Sequence, residues 1–175
     1  KKAAPEGTIF GGDIGCYMLA GMPAYNLQDY LSCMGSSIGI GHGIKKSTDQ
    51  KLIAFIGDST FFHAGIPALI NTVFNKSNPL IIVMDNRTTA MTGHQPHPGI
   101  GKTGIGEPTY EIKIEDIVRA CGVKNLKVID PINIKELETT IKEFLQKEEV
   151  SVSFFCGKKS SSRRNNFWRG YWLLY

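Results

Sequence analysis

Continuous apolar runs alternate with segments of helical periodicity along this chain. Residues 51–56 and 79–84 are two such runs, and they have the composition of strands that are buried on both faces of a parallel sheet. Between them, Ile66, Leu69 and Val73 recur at the three- and four-residue spacing of an amphipathic helix. The pattern therefore predicts a strand, a helix and a second strand in succession.

The same alternation extends along the chain and predicts an α/β protein. The predicted strands are 8–10, 51–56, 80–84, 126–129 and 150–155, and the predicted helices are 36–46, 64–75, 114–120 and 134–146. This order favours a doubly wound parallel sheet with helices on both faces. Such sheets bind ligands at the carboxyl ends of their strands, where the strand order reverses. We therefore expect the functional residues to converge on that edge of the sheet.

Residues 86–110 form a long segment that is rich in glycine, proline and threonine. Segments of more than about 15 residues without regular structure are usually functional or disordered, and a mobile lid fits this composition. Within the segment, Gly99–Gly104 matches a Gly-x-Gly-x-x-Gly phosphate-binding pattern. That pattern requires a strand directly before it and a helix directly after it. Neither is predicted here, so a nucleotide-binding module without chemistry is the weaker hypothesis.

Length, charge and cysteine usage disfavour several classes of protein. A chain of 175 residues suits one domain, and no apolar run approaches the ~20 residues that cross a membrane. The net charge of +4 arises in residues 151–175, which carry five basic residues and no acid, so residues 1–150 sum to −1. Nucleic-acid binding is disfavoured because it needs basic residues across one face of the fold. Four scattered cysteines without a secretory leader indicate reduced thiols in the cytoplasm.

The composition changes sharply after residue 156. We assign residues 1–156 to a single domain and residues 157–175 to an atypical basic and aromatic tail. The tail has two interpretations, a frame-shifted or otherwise non-native sequence and an aromatic docking segment. Since the chain also lacks an initiator methionine, we expect a fragment of a longer enzyme.

Polar residues follow the two central strands at a spacing that suits a divalent cation. Asp58 and Asn86 are 28 residues apart, the length of one strand–helix–strand unit. Parallel neighbours lie about 4.8 Å apart, so a carboxylate oxygen, an amide oxygen and the Thr88 carbonyl can share Mg²⁺ beside a ligand's phosphates. Gly57 allows close backbone approach, and the helix beyond Ser59 directs its amino end at a diphosphate. The alternative is that both clusters are ordinary turns.

These residues resemble the thiamine diphosphate signature, Gly-Asp-Gly followed by an asparagine at a strand end. Ser59 and Asp85 depart from its common form, which has Gly and Asn at those positions. The wider motifs resemble the thiamine-binding domain in the alpha subunit of indolepyruvate:ferredoxin oxidoreductases, a group within the 2-oxoacid:ferredoxin oxidoreductase family. They span residues 12–17, 33–39, 84–86 and 91–95. The resemblance covers residues 8–155 and implies the thiamine diphosphate-binding fold.

The resemblance also implies roles for individual residues. Asp58, Asn86 and the Thr88 carbonyl correspond to the magnesium ligands. Met34 stands where a bulky residue supports the bent cofactor and so assists catalysis, with plain core packing as the alternative. The other implied contacts are those to the diphosphate (Gly57, Ser59, Thr92 and Gly93), to the aminopyrimidine (the Ser32 carbonyl, the Met34 N–H, Gly35 and Gly39) and from the first strand's end (Gly15 and Cys16).

The resemblance leaves the roles of three side chains open. Cys16 is either functional or inert. His94 and His97 either touch the substrate or are solvated, and His94 is the better catalytic candidate because it lies inside the cofactor-facing motif.

The resemblance implies oxidative decarboxylation of an aryl 2-oxoacid such as indolepyruvate to an acyl-coenzyme A. Ferredoxin accepts the electrons through 4Fe–4S clusters that belong to the full enzyme. A separate pyrimidine-binding domain or subunit supplies the catalytic glutamate, and a second oxidoreductase subunit completes the enzyme, so we expect this chain to be inactive alone. The main alternative is a non-oxidative thiamine-dependent decarboxylase subunit of the sulfopyruvate or phosphonopyruvate type.

Overall fold

The computed structural model describes residues 2–156, and the predictions made for the tail fall outside this range. Within it, the elements are β1 (Ile9–Gly11), α1 (Ser36–Ser47), β2 (Leu52–Gly57), α2 (Asp58–Thr60), α3 (Ile66–Phe74), β3 (Leu80–Asp85), α4 (Ile114–Ala120), β4 (Asn125–Ile129), α5 (Ile134–Phe144) and β5 (Ser151–Cys156). A π-helical turn, Phe61–Gly65, joins α2 to α3. Short 3₁₀ segments occur at Cys16–Gly21 and Pro98–Ile100.

The five strands form one parallel sheet in the order β1-β2-β3-β5-β4. The chain steps in one direction from β1 to β3, forms β4 at the far edge, and returns to insert β5. The forward crossovers place α1, α3 and α4 on one face, and the return crossover places α5 on the other. Right-handed connections require this arrangement. It confirms the predicted doubly wound α/β fold with helices on both faces.

Alternate residues of the central strands serve two cores. Ile81 and Val83 of β3 pack in the core that contains α1, α3 and α4, whereas Leu80 and Ile82 pack in the core that contains α5. All four side chains are buried. A strand covered on both faces must be apolar at every position, which explains the unbroken run in the sequence. No helix among the described residues is both long and apolar enough to traverse a bilayer.

The helix after β2 begins earlier than the sequence predicts. The apolar periodicity indicated a start at residue 64, but helical structure begins at Asp58. Asp, Ser and Thr form helices poorly because their side chains compete for backbone hydrogen bonds. Here tertiary contacts hold them, since the Ser59 hydroxyl hydrogen-bonds the Thr89 hydroxyl at 2.7 Å and the Thr60 hydroxyl donates to the Ile14 carbonyl at 3.2 Å. Local propensity therefore underestimates this helix.

The carboxyl ends of β1, β2 and β3 meet at one edge of the sheet, as predicted. Gly57 pairs with Met84, so Asp58 and Asp85 follow at neighbouring positions. The segments after β1 and β3 lie over this edge. The strand order reverses at β5, which lies beyond β3 in the sheet. The ends of β1, β2 and β3 are therefore next to the reversal, where we expected a ligand to bind, and not at it.

Candidate functional site

A cavity of about 720 Å³ opens at the carboxyl ends of the first three strands. Its volume lies within the range of about 300–1,000 Å³ that is usual for small-molecule sites. One side is apolar and comes mainly from residues 14–27, and the other, here called the polar side, carries most of the polar residues and comes from the ends of β2 and β3 and the loop after β3. The predicted site residues that line it are Gly15, Cys16, Met34, Gly57, Asp58, Ser59, Asn86, Thr88 and Thr92. The structure therefore brings together nine residues that the sequence grouped by motif.

Asp58 is the central acid of the polar side. It is only 3% exposed, and each carboxylate oxygen accepts hydrogen bonds. Oδ1 accepts from the Ser59 N–H at 2.8 Å, and Oδ2 accepts from the Arg87 N–H at 2.8 Å. The Nε2 atom of His97 lies 3.1 Å from Oδ2. A buried carboxylate is stable in its charged form only when donors surround it in this way.

Asp85 places a second carboxyl group beside Asp58. The pKa of Asp85 is raised from 3.8 to about 6, mainly by burial and further by a hydrogen bond and like charge from Asp58, whereas Arg87 opposes the shift. The Arg87 guanidinium is mainly engaged elsewhere, 2.6 Å from Glu111 and 3.9 Å from Asp85. Asp58 is buried, Asp85 is partly buried, and the Arg87 guanidinium nearest to Asp85 is shared with Glu111, so the two acids form an electronegative site. A divalent cation is the ligand that best relieves this repulsion.

Asn86 and Thr88 form a turn at the mouth of the cavity. The Asn86 side-chain oxygen accepts from the Thr88 N–H at 3.1 Å. Arg87 between them has φ of 63°, a left-handed conformation that is uncommon outside glycine. Among the described residues no cluster of three histidine, cysteine or acidic side chains is arranged to hold a metal. A cation here would therefore need amide, carbonyl and ligand oxygens beside a carboxylate, which is the donor set that Mg²⁺ prefers.

Tyr17 covers the glycines at the base of the site. The Gly57 N–H donates to the Tyr17 hydroxyl oxygen at 2.9 Å, and a Cβ atom at Gly15 would lie 2.5 Å from the Tyr17 ring. Burial raises the pKa of the Tyr17 hydroxyl, and the charge of Asp13 adds to this effect, so the group stays neutral. The sequence analysis assigned no role to Tyr17, although it ends the motif at residues 12–17.

Asp13 positions the loop that carries Met34. It is fully buried, and its carboxylate accepts from the N–H groups of Ile14 and Gly35 at 2.8 Å and of Ser37 at 2.9 Å. Two of these donors open α1, where a negative charge is favourable. Met34 itself is 45% exposed and lines the cavity, which does not fit the alternative of plain core packing.

Two residues of the Met34 loop lie elsewhere than expected. Ser32 is exposed and lies outside the cavity lining. Gly35 also lies outside it and is buried, and a Cβ atom there would meet Ala64 at 2.5 Å. The missing side chain of Gly35 thus allows α1 to approach the π-helical turn, rather than opening space for a ring. By contrast, a Cβ atom at Gly39 would meet nothing within 4 Å.

The remaining candidates divide between the cavity and the surface. Cys16 lines the cavity, and burial raises the pKa of its thiol, so it is protonated at neutral pH. Thr92 also lines it, whereas Gly93 and His94 do not. The sequence favoured His94 over His97, but His94 is exposed and His97 is buried against Asp58. Periodicity carries no signal for this contact, since the loop has no regular structure.

The Gly99–Gly104 pattern does not form a phosphate-binding loop. It begins inside the 3₁₀ segment Pro98–Ile100, well after β3, and α4 starts only at Ile114. The strand-to-helix context that this motif requires is thus missing from the described structure. The nucleotide-binding hypothesis loses its structural basis.

Residues 13–153 match the family described as thiamine pyrophosphate enzyme, C-terminal TPP binding domain. The indolepyruvate oxidoreductase subunit IorA of Methanothermobacter thermautotrophicus is 54% identical over 144 residues, which cover 82% of this chain and 23% of that protein. The sulfopyruvate decarboxylase subunit beta of Methanocaldococcus jannaschii is 29% identical over 123 residues, which cover 70% of this chain and 58% of that protein. The chain spans about a quarter of the length of the indolepyruvate oxidoreductase subunits that it matches.

Among solved structures, the fold matches a 2-oxoglutarate:ferredoxin oxidoreductase from Magnetococcus marinus, whose structure contains 2-oxoglutarate, coenzyme A and succinyl-CoA. The TM-score is 0.74 at 18% identity, and the match covers 87% of this chain and 55% of that chain. Identity at this level supports a shared fold alone.

Proposed function

Because this chain belongs to the family of C-terminal thiamine pyrophosphate-binding domains, we propose that it is the cofactor-binding part of an indolepyruvate:ferredoxin oxidoreductase. In this proposal the complete cytoplasmic enzyme oxidatively decarboxylates an aryl 2-oxoacid and transfers the acyl group to coenzyme A. The observation that carries the proposal is the buried Asp58 carboxylate at a cavity whose lining coincides with the family's cofactor motifs.

The described residues fit thiamine diphosphate with Mg²⁺. Asp58, Asn86 and the Thr88 carbonyl would hold the ion, whose charge would offset the paired acids at Asp58 and Asp85. The diphosphate contacts would come from Gly57, Ser59, Thr92 and Gly93. The helix that starts at Asp58 directs its amino end toward this polar side, which favours an anion there.

The apolar side of the cavity would take the rings of the cofactor. Met34 would support them, and the Ser32 carbonyl and the Met34 N–H would hold the aminopyrimidine, with Gly15 and Cys16 opposite. When bound, thiamine diphosphate supplies the carbanion equivalent that adds to the keto carbon of a 2-oxoacid. The chain's own contribution is to orient the cofactor, exclude water with the residue 14–27 segment and hold the metal. His94 would approach the substrate only after movement of its loop.

The remaining chemistry belongs to other parts of the enzyme. A pyrimidine-binding domain or subunit would supply the glutamate, and a second oxidoreductase subunit would complete the assembly. Decarboxylation of the 2-oxoacid to the acyl group of a thioester releases carbon dioxide and two electrons. In this proposal the electrons pass one at a time through 4Fe–4S clusters to ferredoxin, and the coenzyme A thiolate takes the acyl group.

The proposal is tested in the assembled enzyme with its second subunit. We expect indolepyruvate to reduce ferredoxin in the presence of coenzyme A, and Asp58→Asn to abolish this while Asp116→Asn, an exposed acid on α4, leaves it unchanged. Ferredoxin reduction that survives Asp58→Asn would contradict the proposal. Coenzyme A-independent release of carbon dioxide without electron transfer would instead favour the decarboxylase alternative, which rests on the more distant sulfopyruvate decarboxylase relative.

A further inference from the structure

His97 is the only fully buried histidine of the four in the chain, all of which the structure describes. It lies in the long loop between β3 and α4, a segment of glycine, proline and polar residues in which a buried side chain is unusual. Its exposed fraction is 4%. Such burial of an imidazole requires partners for both ring nitrogens.

Both nitrogens of His97 have such partners. Nδ1 accepts from the Gly99 N–H at 3.1 Å, and Nε2 lies 3.1 Å from Asp58 Oδ2. Because Nδ1 accepts a hydrogen bond, the ring proton belongs on Nε2, which donates to the carboxylate. The second ring nitrogen thus sets the tautomer that serves Asp58.

Packing fixes the plane of the imidazole. Its centroid lies 5.5 Å from that of Phe62 with an interplanar angle of 33°. A Cβ atom at Gly99 would lie 2.8 Å from Phe62 and 3.0 Å from the His97 ring. Gly99 is therefore needed to let the loop bring the ring into this position.

His97 is one of three N–H donors that hold the Asp58 carboxylate. Oδ2 accepts from Arg87 N–H and His97 Nε2–H, whereas Oδ1 accepts from Ser59 N–H. The two donors on Oδ2 restrict the rotation of a carboxylate that lines the cavity. All three donors are neutral groups when His97 carries one proton, so they orient the carboxylate without neutralising its charge.

We propose that His97 is a positioning residue that aims the Asp58 carboxylate at the divalent cation and couples the order of the loop to cation binding. This inference rests on the proposed function, because it takes Asp58 as a ligand of Mg²⁺. Residues that hydrogen-bond a metal ligand typically contribute about 10- to 100-fold to metal affinity. The competing explanation is that His97 only anchors the loop through Gly99 and Phe62.

Two substitutions separate these explanations, because each preserves one of the two hydrogen bonds. The side-chain amide of His97→Gln can reach the Nε2 position and donate to Asp58. The side-chain oxygen of His97→Asn can replace Nδ1 and accept from Gly99, but the side chain is too short to reach Asp58. His63→Gln on the π-helical turn is the matched control, since His63 is exposed.

The measurement is a calorimetric titration of Mg²⁺ into the metal-free assembled enzyme in the presence of thiamine diphosphate, together with the unfolding midpoint of each variant without Mg²⁺. We expect His97→Asn to weaken Mg²⁺ binding by about 10- to 100-fold, and His97→Gln and His63→Gln to remain within about 3-fold of wild type. Wild-type affinity in His97→Asn, or an equal loss in both His97 variants, would overturn the inference.

The other variants decide the outcome when His97→Asn cannot be measured, or when the proposed function itself is wrong. If His97→Asn does not fold, the test rests on His97→Gln. A lower unfolding midpoint with unchanged Mg²⁺ affinity in His97→Gln supports the positioning role of His97. A loss of both the midpoint and the Mg²⁺ affinity overturns that role. Asp58→Asn is included as a reference. If wild type binds Mg²⁺ and Asp58→Asn does not, while His97→Asn binds normally, the proposed function stands and only the role of His97 fails. If wild type does not bind Mg²⁺, the proposed function fails first.

Discussion

A buried aspartate follows each of the strands β1 and β2, and the two acids serve different purposes. Asp13 and Asp58 each follow a strand, are buried, and accept a hydrogen bond from the N–H of the next residue at 2.8 Å. The other donors to Asp13 are the N–H groups that open α1. Those to Asp58 come from the distant loop after β3, and its carboxylate borders the cavity.

At this edge of the parallel sheet, one acid contributes to stability and the other is available for function. Asp13 accepts from three backbone N–H groups, two of them at the start of α1, so its charge is used to hold a helix and a loop. Asp58 stands beside a second acid, Asp85, whose pKa is raised to about 6 by burial and by Asp58. The first acid therefore stabilises the fold, and the second retains a charge that a ligand can use.

The largest effect is expected at Asp13. Asp13→Asn replaces one acceptor oxygen with an amide that faces a backbone N–H, and it removes the charge at the start of α1. We expect the free energy of unfolding to fall by about 4 kcal/mol, since charge-assisted bonds are lost and a buried donor is left unpaired. Urea unfolding measures it, with the exposed Asp49→Asn as control within about 0.5 kcal/mol. Equal stability of the two variants would remove the contrast between the acids.

The next effect is a dependence of stability on pH at Asp85. Its pKa is raised from 3.8 to about 6 in the folded state, so the folded chain binds this proton more tightly than the unfolded chain. The contribution is fully present below about pH 4 and is lost as pH rises through about 6, by up to about 3 kcal/mol. Urea unfolding from pH 4 to 7 should show this slope in wild type and lose it in Asp85→Asn. Parallel pH profiles of the two proteins would contradict the description of a repelling pair.

A smaller effect is expected at Asp58 when no ligand is bound. Asp58→Asn disturbs donors from Ser59, Arg87 and His97, but it also removes the repulsion with Asp85. We expect the free energy of unfolding at pH 7 to fall by about 1–2 kcal/mol, at most half of the loss in Asp13→Asn. If Asp58→Asn proves as destabilising as Asp13→Asn, Asp58 is a structural acid like Asp13.

The smallest effect is expected at Tyr17. Tyr17→Phe removes the hydroxyl that accepts from the Gly57 N–H and leaves the ring packed over Gly15. The loss of this hydrogen bond, and of the longer one that the hydroxyl donates to the Ile14 carbonyl at 3.4 Å, should lower the free energy of unfolding by about 1 kcal/mol. The matched control is Tyr110→Phe, because Tyr110 is 81% exposed, and its unfolding should match wild type. A loss in the control of the same size would show that the hydrogen bond is not the cause.

The sheet and its functional edge were predictable because their signals are local. The apolar runs at 51–56 and 79–84 form β2 and β3 within one residue at each end, and α4 matches its predicted range of 114–120. The convergence of Asp58 and Asn86 followed from parallel strand geometry. Nine of the assigned residues then line one cavity.

What the sequence missed depends on contacts between distant segments. The helix beginning at Asp58 relies on hydroxyl bonds to Thr89 and Ile14, which no propensity anticipates. The burial of His97 depends on the path of an irregular loop, and the packing of Gly35 on Ala64 depends on how α1 meets the π-helical turn. Motif comparison locates a site, but the side chains that orient its ligands emerge only from tertiary structure.

The central claim is that Asp58 holds a divalent cation for thiamine diphosphate. The most direct measurement is calorimetric titration of thiamine diphosphate into the metal-free assembled enzyme, in Mg²⁺ and in EDTA, for wild type and Asp58→Asn. We expect binding heat only for wild type in Mg²⁺. Binding of thiamine diphosphate that persists unchanged in EDTA and in Asp58→Asn would contradict the account.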